Sequence, residues 1–199
     1  MRRAPLLGYP ALLAALLAPI PGCGAPPAPA SDASPQAAHD DLADVLARLA
    51  REPEGVGRRP LMQSLRRASA EHALPVLRTG LAATDPAVRA AAALATGRRR
   101  DGHTLAPQLI TLATDDAVIT VRVAACRGLG QLRPPGAWAP LQQNLSHEAA
   151  ELRVAALRAL ARIDPARAAA LPELGRLQLD PDARVAGAAT KVSRQVSLQ

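Results

Sequence analysis

The chain has 199 residues, 49% hydrophobic but only 1% aromatic, and a formal charge of +7 carried by 23 arginines and a single lysine. That length fits one domain or one short repeat array, and the scarcity of aromatics argues against a globular core built on large aromatic side chains. A basic balance of this size permits an acidic partner without specifying one.

Taken in order, Arg2 and Arg3 precede a mostly apolar run from Leu6 to Ile20. This is the length of a secretory apolar region and too short to span a bilayer. Ile20-Pro21-Gly22-Cys23 follows, and residues 1–22 resemble a bacterial lipoprotein signal peptide. The resemblance implies that Cys23 becomes the acylated first residue, so that the chain is exported and lipid-anchored in the cell envelope. Loss of Arg2 and Arg3 would take the charge from +7 to +5. Ordinary secretion, with Cys23 left as a free thiol, is the alternative. Residues 23–39 are rich in Pro, Ala and Ser with no apolar period, and are expected to form a disordered tether.

A folded region is expected over 40–199. Leu42, Val45, Leu46 and Leu49 recur at helical spacing, giving a first helix to about Arg51, and Leu61, Met62 and Leu65 mark a second ending near His72. These form a weak repeat over 41–72. Four clearer units follow at 73–103, 104–136, 137–169 and 170–199. Each opens on a short helix with proline in its first turn, where the missing N–H costs nothing: Leu74–Leu81 with Pro75, Leu105–Ala113 with Pro107, Trp138–Leu145 with Pro140, Leu171–Leu179 with Pro172. A second helix then runs from Pro86 to Gly97, through Val121 to Leu132, from Ala149 to Ile163 and from Asp182 to Val196. No strand is expected.

The second helices carry one pattern. Val121-Arg122-Val123-Ala124-Ala125-Cys126-Arg127-Gly128-Leu129-Gly130 returns at 152–161, with looser copies at 88–97 and 183–189. Arg89, Arg122, Arg153 and Arg184 are spaced by 33, 31 and 31 residues, a period typical of helical solenoids. The pattern Asp-Pro-x-Val-Arg-x-Ala-Ala-x-x-Ala-Leu-Gly resembles the HEAT repeat, in particular the short HEAT-like type associated with phycobilisome lyases. It covers about 73–196, with a weaker extension back to 41. The resemblance implies an all-α, right-handed solenoid of about five helix-turn-helix repeats, the first and last acting as caps. It specifies fold far better than function.

Three sets of arginines stand out. Arg89 follows Asp85 by four residues, a spacing at which two side chains meet on a helix. Arg122 follows Asp116, Arg153 follows Glu148 and Glu151, and Arg184 follows Asp180 and Asp182. In a stack each arginine is also within reach of the acid of the adjacent repeat. A structural ladder is therefore expected, with ligand binding as the alternative role. Arg127 and Arg158 share a second repeat position, five residues on, and Arg162 lies one turn further. In HEAT-like arrays the second helices line the concave surface, which makes these three a candidate strip for an anionic or acidic-peptide partner. Arg98-Arg99-Arg100 forms a basic inter-repeat loop, read either as a solvated turn or as a second contact point.

Chemistry is not indicated. His39, His72, His103 and His147 are scattered, no His/Cys/acid cluster has metal-ligand spacing, and no glycine-rich phosphate loop follows a strand. Cys126 sits at a small-residue position in mid-helix and is expected to be a buried small hydrophobe. No cofactor is implied. The expected function is a membrane-tethered, non-catalytic protein–protein interaction scaffold. Nucleic-acid binding is an alternative, disfavoured by the export signal and the missing stacking aromatics. An accessory subunit of a lyase-type enzyme is the other, and no catalytic residue transfers with that resemblance.

Overall fold

A computed structural model describes residues 35–52 and 55–196, all within one unit spanning 33–199. Cys23, the signal region and most of the tether lie outside the described residues. Among the described residues there are eleven α-helices and no strand: α1 (Pro35–Arg51), α2 (Arg58–Arg67), α3 (Ala70–Leu81), α4 (Pro86–Gly97), α5 (Ala106–Asp115), α6 (Ile119–Leu132), α7 (Trp138–Gln143), α8 (Ala150–Ile163), α9 (Pro165–Ala169), α10 (Leu174–Gln178) and α11 (Ala183–Val196). The fold is an all-α solenoid.

The helices pair as α3/α4, α5/α6, α7/α8 and α10/α11, and the second members stack side by side in the order α4, α6, α8, α11. Leu129, Leu152, Leu157 and Leu160 are fully buried between these second helices and their partners. Small residues let the backbones come close. A Cβ placed on Gly97 of α4 would lie 2.5 Å from the Cα of Gly128 in α6, and one on Gly130 would lie 2.7 Å from the Cα of Ala159 in α8. Ala91, Ala92, Ala93, Ala125, Ala156 and Ala159 complete the buried seam. The stack therefore gains contact by near approach of helices, which is how a chain almost without aromatics still fills its core.

The first pair departs from the repeat register. α1 packs on both α3 and α4 rather than on α3 alone. Leu46 of α1 reaches the surface between Gly80 and Ala92, where a Cβ on Gly80 would meet its Cδ2. α1 also begins at Pro35, inside the stretch assigned to the tether, because proline is compatible with a first helical turn.

Four other elements differ from expectation. α2 ends at Arg67, and residues 70–72 belong to α3, which starts four residues before Leu74. Pro75 thus lies inside α3 rather than in its first turn; it is exposed, as is Glu71, whose carbonyl lacks the i+4 N–H. The helix expected over Leu171–Leu179 is confined to α10, and α9 precedes it. α9 starts on Asp164-Pro165, with the Asp164 carboxylate accepting from Arg167 N–H at 2.9 Å.

Candidate functional site

The recurring arginines form repeat-to-repeat contacts. The Arg89 side chain donates from Nε and Nη2 to the two carboxylate oxygens of Asp116 at 2.7 and 3.0 Å, and from Nη1 to the carbonyls of Ala83 and Thr84 at 2.8 and 2.9 Å. Arg153 repeats the arrangement two repeats further on. It donates to both oxygens of Asp180 at 2.9 and 2.7 Å, and to the carbonyls of His147 and Glu148 at 2.9 and 2.6 Å. Each arginine therefore closes its own inter-helix turn and grips the aspartate in the turn of the next repeat, 27 residues on. Each aspartate also caps the chain two residues ahead, accepting from Val118 N–H and from Asp182 N–H at 2.9 Å. A planar fork with five donors suits this double duty in a way an ammonium does not.

These contacts differ from the local pairings expected from sequence spacing. Asp85 does not receive Arg89; it caps Ala87 N–H at 2.8 Å. Asp116 pairs with Arg89 rather than with Arg122. Glu148 offers Arg153 its carbonyl, not its carboxylate, and the charged partner is Asp180. The four-residue helix spacing loses because the arginine side chain points across the stack, where a desolvated bidentate partner outweighs an exposed one. Arg184 lies in α11, the last of the described helices. It turns back to Asp182 at 2.7 Å and is 60% exposed.

The electrostatics follow the geometry. For Asp116, burial pushes the pKa up, but the hydrogen bonds from Arg89 and Val118 N–H and the nearby charges of Arg89 and Arg122 outweigh it, so the value lies below the ordinary 3.8. For Asp180, the hydrogen bond from Arg153 dominates and likewise lowers the value. Asp182 is drawn down to about 2 by the hydrogen bond from Arg184 and by its own backbone contacts.

The ladder has one rung without a carboxylate. Arg122 donates to Asn144 Oδ1 at 2.8 Å and to the carbonyl of Ala113 at 3.2 Å, and it faces His147 Nε2 at 3.3 Å. His147 occupies the place that Asp116 and Asp180 hold elsewhere: its Nδ1 accepts from the N–H two residues on, Ala149, at 3.0 Å. His147→Asp should therefore supply the missing carboxylate and raise the unfolding free energy by about 1–2 kcal/mol, between the worth of an exposed ion pair and that of a buried one. Urea midpoints followed by the single tryptophan, Trp138, whose ring is covered by Arg167 at 4.0 Å, measure this directly. A lowered midpoint would mean that the His147 site does not share the geometry of its neighbours. Close by, burial pushes the Cys126 thiol up to about 12, which leaves it protonated at neutral pH.

The second feature is a groove of about 680 Å³ on the inner row of helices. Arg127 of α6 and Arg158 and Arg162 of α8 all line it, as does Arg98 at the end of α4. Arg58 and Arg59 of α2 and Arg184 of α11 complete the ring, so seven arginines face one acid, Glu151. The floor is apolar, formed by Met62, Leu94, Val154, Ala155 and Ala159. The groove thus offers positive charge at its rim and methyl and methylene surface beneath. By spacing Arg58 falls 31 residues before Arg89, as in a degenerate first repeat, but the first helical pair packs differently, and Arg58 and Arg59 line the groove instead.

The three consecutive loop arginines separate. Arg98 and Arg100 are exposed, whereas Arg99 is 5% exposed and internal to the structure. It pairs with Asp101 at 2.8 and 2.7 Å and donates from Nη1 to the carbonyls of Ala68, at 3.0 Å, and Leu65. A solvated turn, or a contact point for a ligand, is thereby ruled out for Arg99. Among the described residues no group of three His, Cys, Asp or Glu side chains is placed to hold a metal ion, and no helix is long and apolar enough to cross a membrane.

In comparison with known proteins, residues 106–193 match the family described as HEAT repeats. That stretch runs from the start of α5 into α11 and leaves α1–α4 outside it. No curated protein matches the chain. HEAT repeats commonly mediate protein–protein interaction and are generally non-catalytic. The matched stretch, the paired helices and the stacked second helices together support a HEAT-like repeat protein.

Proposed function

We propose that the protein is a non-catalytic interaction scaffold of the bacterial cell envelope, tethered to a membrane through Cys23, and that its groove receives an acidic, partly apolar segment of a protein partner. The observation that carries the reading is the composition of the groove: seven arginines to one glutamate around an aliphatic floor. Carboxylates pair with the guanidinium rim while apolar side chains of the same segment cover Met62, Leu94 and Val154. Single-stranded nucleic acid fits this surface less well, since stacking platforms need aromatic faces and the groove has none.

Charges at a groove rim act chiefly on association rate and salt dependence. Arg127→Gln/Arg158→Gln/Arg162→Gln should slow association with a partner recovered from membrane extracts several-fold at low ionic strength. The difference should shrink as the screening length falls from about 30 Å at 0.01 M to about 8 Å at 0.15 M. Association at the wild-type rate would place the contact elsewhere.

The tether is tested separately. A palmitate analogue should label the wild-type chain in cells and fail to label Cys23→Ser. Equal labelling of the two would remove the anchor from the reading, while leaving the groove untouched.

A further inference from the structure

A second concavity, of about 400 Å³, lies where the end of α2 meets the segment after α4. It is lined by Arg66, Arg67, Arg98, Arg99, Arg100 and Asp101. The fold itself brings these charges together. Arg99 is the clamp: its guanidinium holds Asp101 bidentately and reaches the carbonyls of Leu65 and Ala68 at the end of α2. That contact draws Arg98 and Arg100 against Arg66 and Arg67, more than 30 positions away in sequence.

Helix C-termini attract cations, and Arg66, Arg67 and Arg98 all sit at such ends. The magnitudes show that this is not enough. Five arginines against one aspartate leave four positive charges, and two helix termini return about half a charge each, so about three remain uncompensated. Arg66, Arg67, Arg98 and Arg100 are exposed, so water screens much of their repulsion, and the excess leaves a positive potential that favours a compact anion. A compact anion must bring more than one charge into a space of this size. A phosphoryl group carries about −1.5 to −2 at neutral pH on three acceptor oxygens, and the guanidinium fork matches those oxygens in pairs.

We infer that the concavity framed by Arg66, Arg67, Arg98 and Arg100 is a binding site for a phosphoryl group, separate from the groove that takes the protein segment. Arg99 and Asp101 are its positioning residues and do not bind the ligand. Arg98 lines both surfaces, so occupation of one site is felt at the edge of the other.

Orthophosphate and pyrophosphate test this by calorimetric titration in chloride buffer. The proteins compared are the wild type, Arg66→Gln/Arg100→Gln and Arg158→Gln/Arg162→Gln. Arg66 and Arg100 line only this concavity, and Arg158 and Arg162 line only the groove. Saturable pyrophosphate binding is expected in the wild type and the groove pair, with a loss of at least about ten-fold in Arg66→Gln/Arg100→Gln, the size expected for removing two charge-assisted contacts. Without ligand, that variant should melt no lower than wild type at low ionic strength, because two repelling charges have gone. A phosphoserine peptide and phosphatidate vesicles, run as further arms, assign the source: the arm weakened by Arg66→Gln/Arg100→Gln carries the group, and weakening of pyrophosphate alone identifies free phosphate. Equal pyrophosphate affinity in the wild type and Arg66→Gln/Arg100→Gln, or no saturable binding to the wild type, overturns the inference.

Discussion

Arg153→Ala should lower the unfolding free energy by about 2–3 kcal/mol, a value between the 0–1 of an exposed ion pair and the 3–5 of a fully buried one. The intermediate size follows from the geometry. The Arg153 side chain is 11% exposed and that of Asp180 is 5% exposed, and the guanidinium also satisfies two carbonyls that its loss would leave unpaired. Arg184→Ala is the control at the same repeat position. Its side chain is 60% exposed and pairs with Asp182 two residues away, so its loss should fall within the small range of surface pairs. Replacing both Arg153 and Asp180 by apolar residues should cost less than Arg153→Ala alone, because neither charge is then left buried without a partner. The same rung predicts an acid limb. The pKa of Asp180 is lower in the folded than in the unfolded chain, so its contribution is fully present above the ordinary value of 3.8 and is lost as pH falls through the folded value. Urea midpoints read from Trp138 fluorescence across that range, for wild type and Asp180→Asn, should converge at the acid end. Equal midpoints for Arg153→Ala and Arg184→Ala would remove the ladder from the account of stability.

Gly97→Ala should destabilise by about 1–3 kcal/mol or more, the cost of overpacking a close contact. Helix propensity alone forecasts the opposite sign, a gain of up to about 1 kcal/mol on replacing glycine by alanine. Packing decides. The new Cβ would lie 2.5 Å from the Cα of Gly128 and 2.9 Å from its carbonyl oxygen, both backbone atoms that cannot yield without separating α4 from α6. Gly187 in α11 has nothing within 4 Å of such a Cβ, so there propensity acts unopposed and Gly187→Ala should stabilise by about 0.5–1 kcal/mol. Thermal midpoints moving in opposite directions for these two substitutions are the expected result. Movement in the same direction would mean that the close approach of α4 and α6 is not a constraint.

The period of about 31 residues made the row of second helices legible, because each must bury the same stripe against its neighbours. It also put Arg89, Arg122, Arg153 and Arg184 at one structural position. Their partners were not legible by local spacing: Asp116 and Asp180 lie 27 residues ahead, in the next turn, and only the stack brings them near. The rung at His147, which has no carboxylate, was hidden for the same reason, since a capping histidine reads as an ordinary turn residue until Arg122 is seen facing it. α9 carried a signal that was overlooked, Asp164-Pro165, the same start that opens α4 at Asp85-Pro86. In the candidate site, the alignment of Arg127 with Arg158 was readable from the repeat, whereas the place of Arg58 and Arg59 in the groove was not. They come from the one helical pair whose packing breaks the pattern, with α1 lying across α3 and α4. In the run Arg98-Arg99-Arg100 no sequence rule distinguishes the buried middle residue from its exposed neighbours, because its partners are carbonyls from α2.

The central functional claim is that a protein segment lies in the groove and not on the outer helices. A photo-activated cross-linking residue placed at Leu94 or Gln131, both lining the groove, addresses it most directly when compared with the same residue at Thr79 of α3 or Thr111 of α5, both exposed on the first helices. Irradiation in membrane extracts should give a discrete protein adduct from the two groove positions, absent from the outer positions and weakened by Arg158→Gln/Arg162→Gln. Adducts forming equally from Thr79 and Thr111, or surviving the loss of both arginines undiminished, would contradict it.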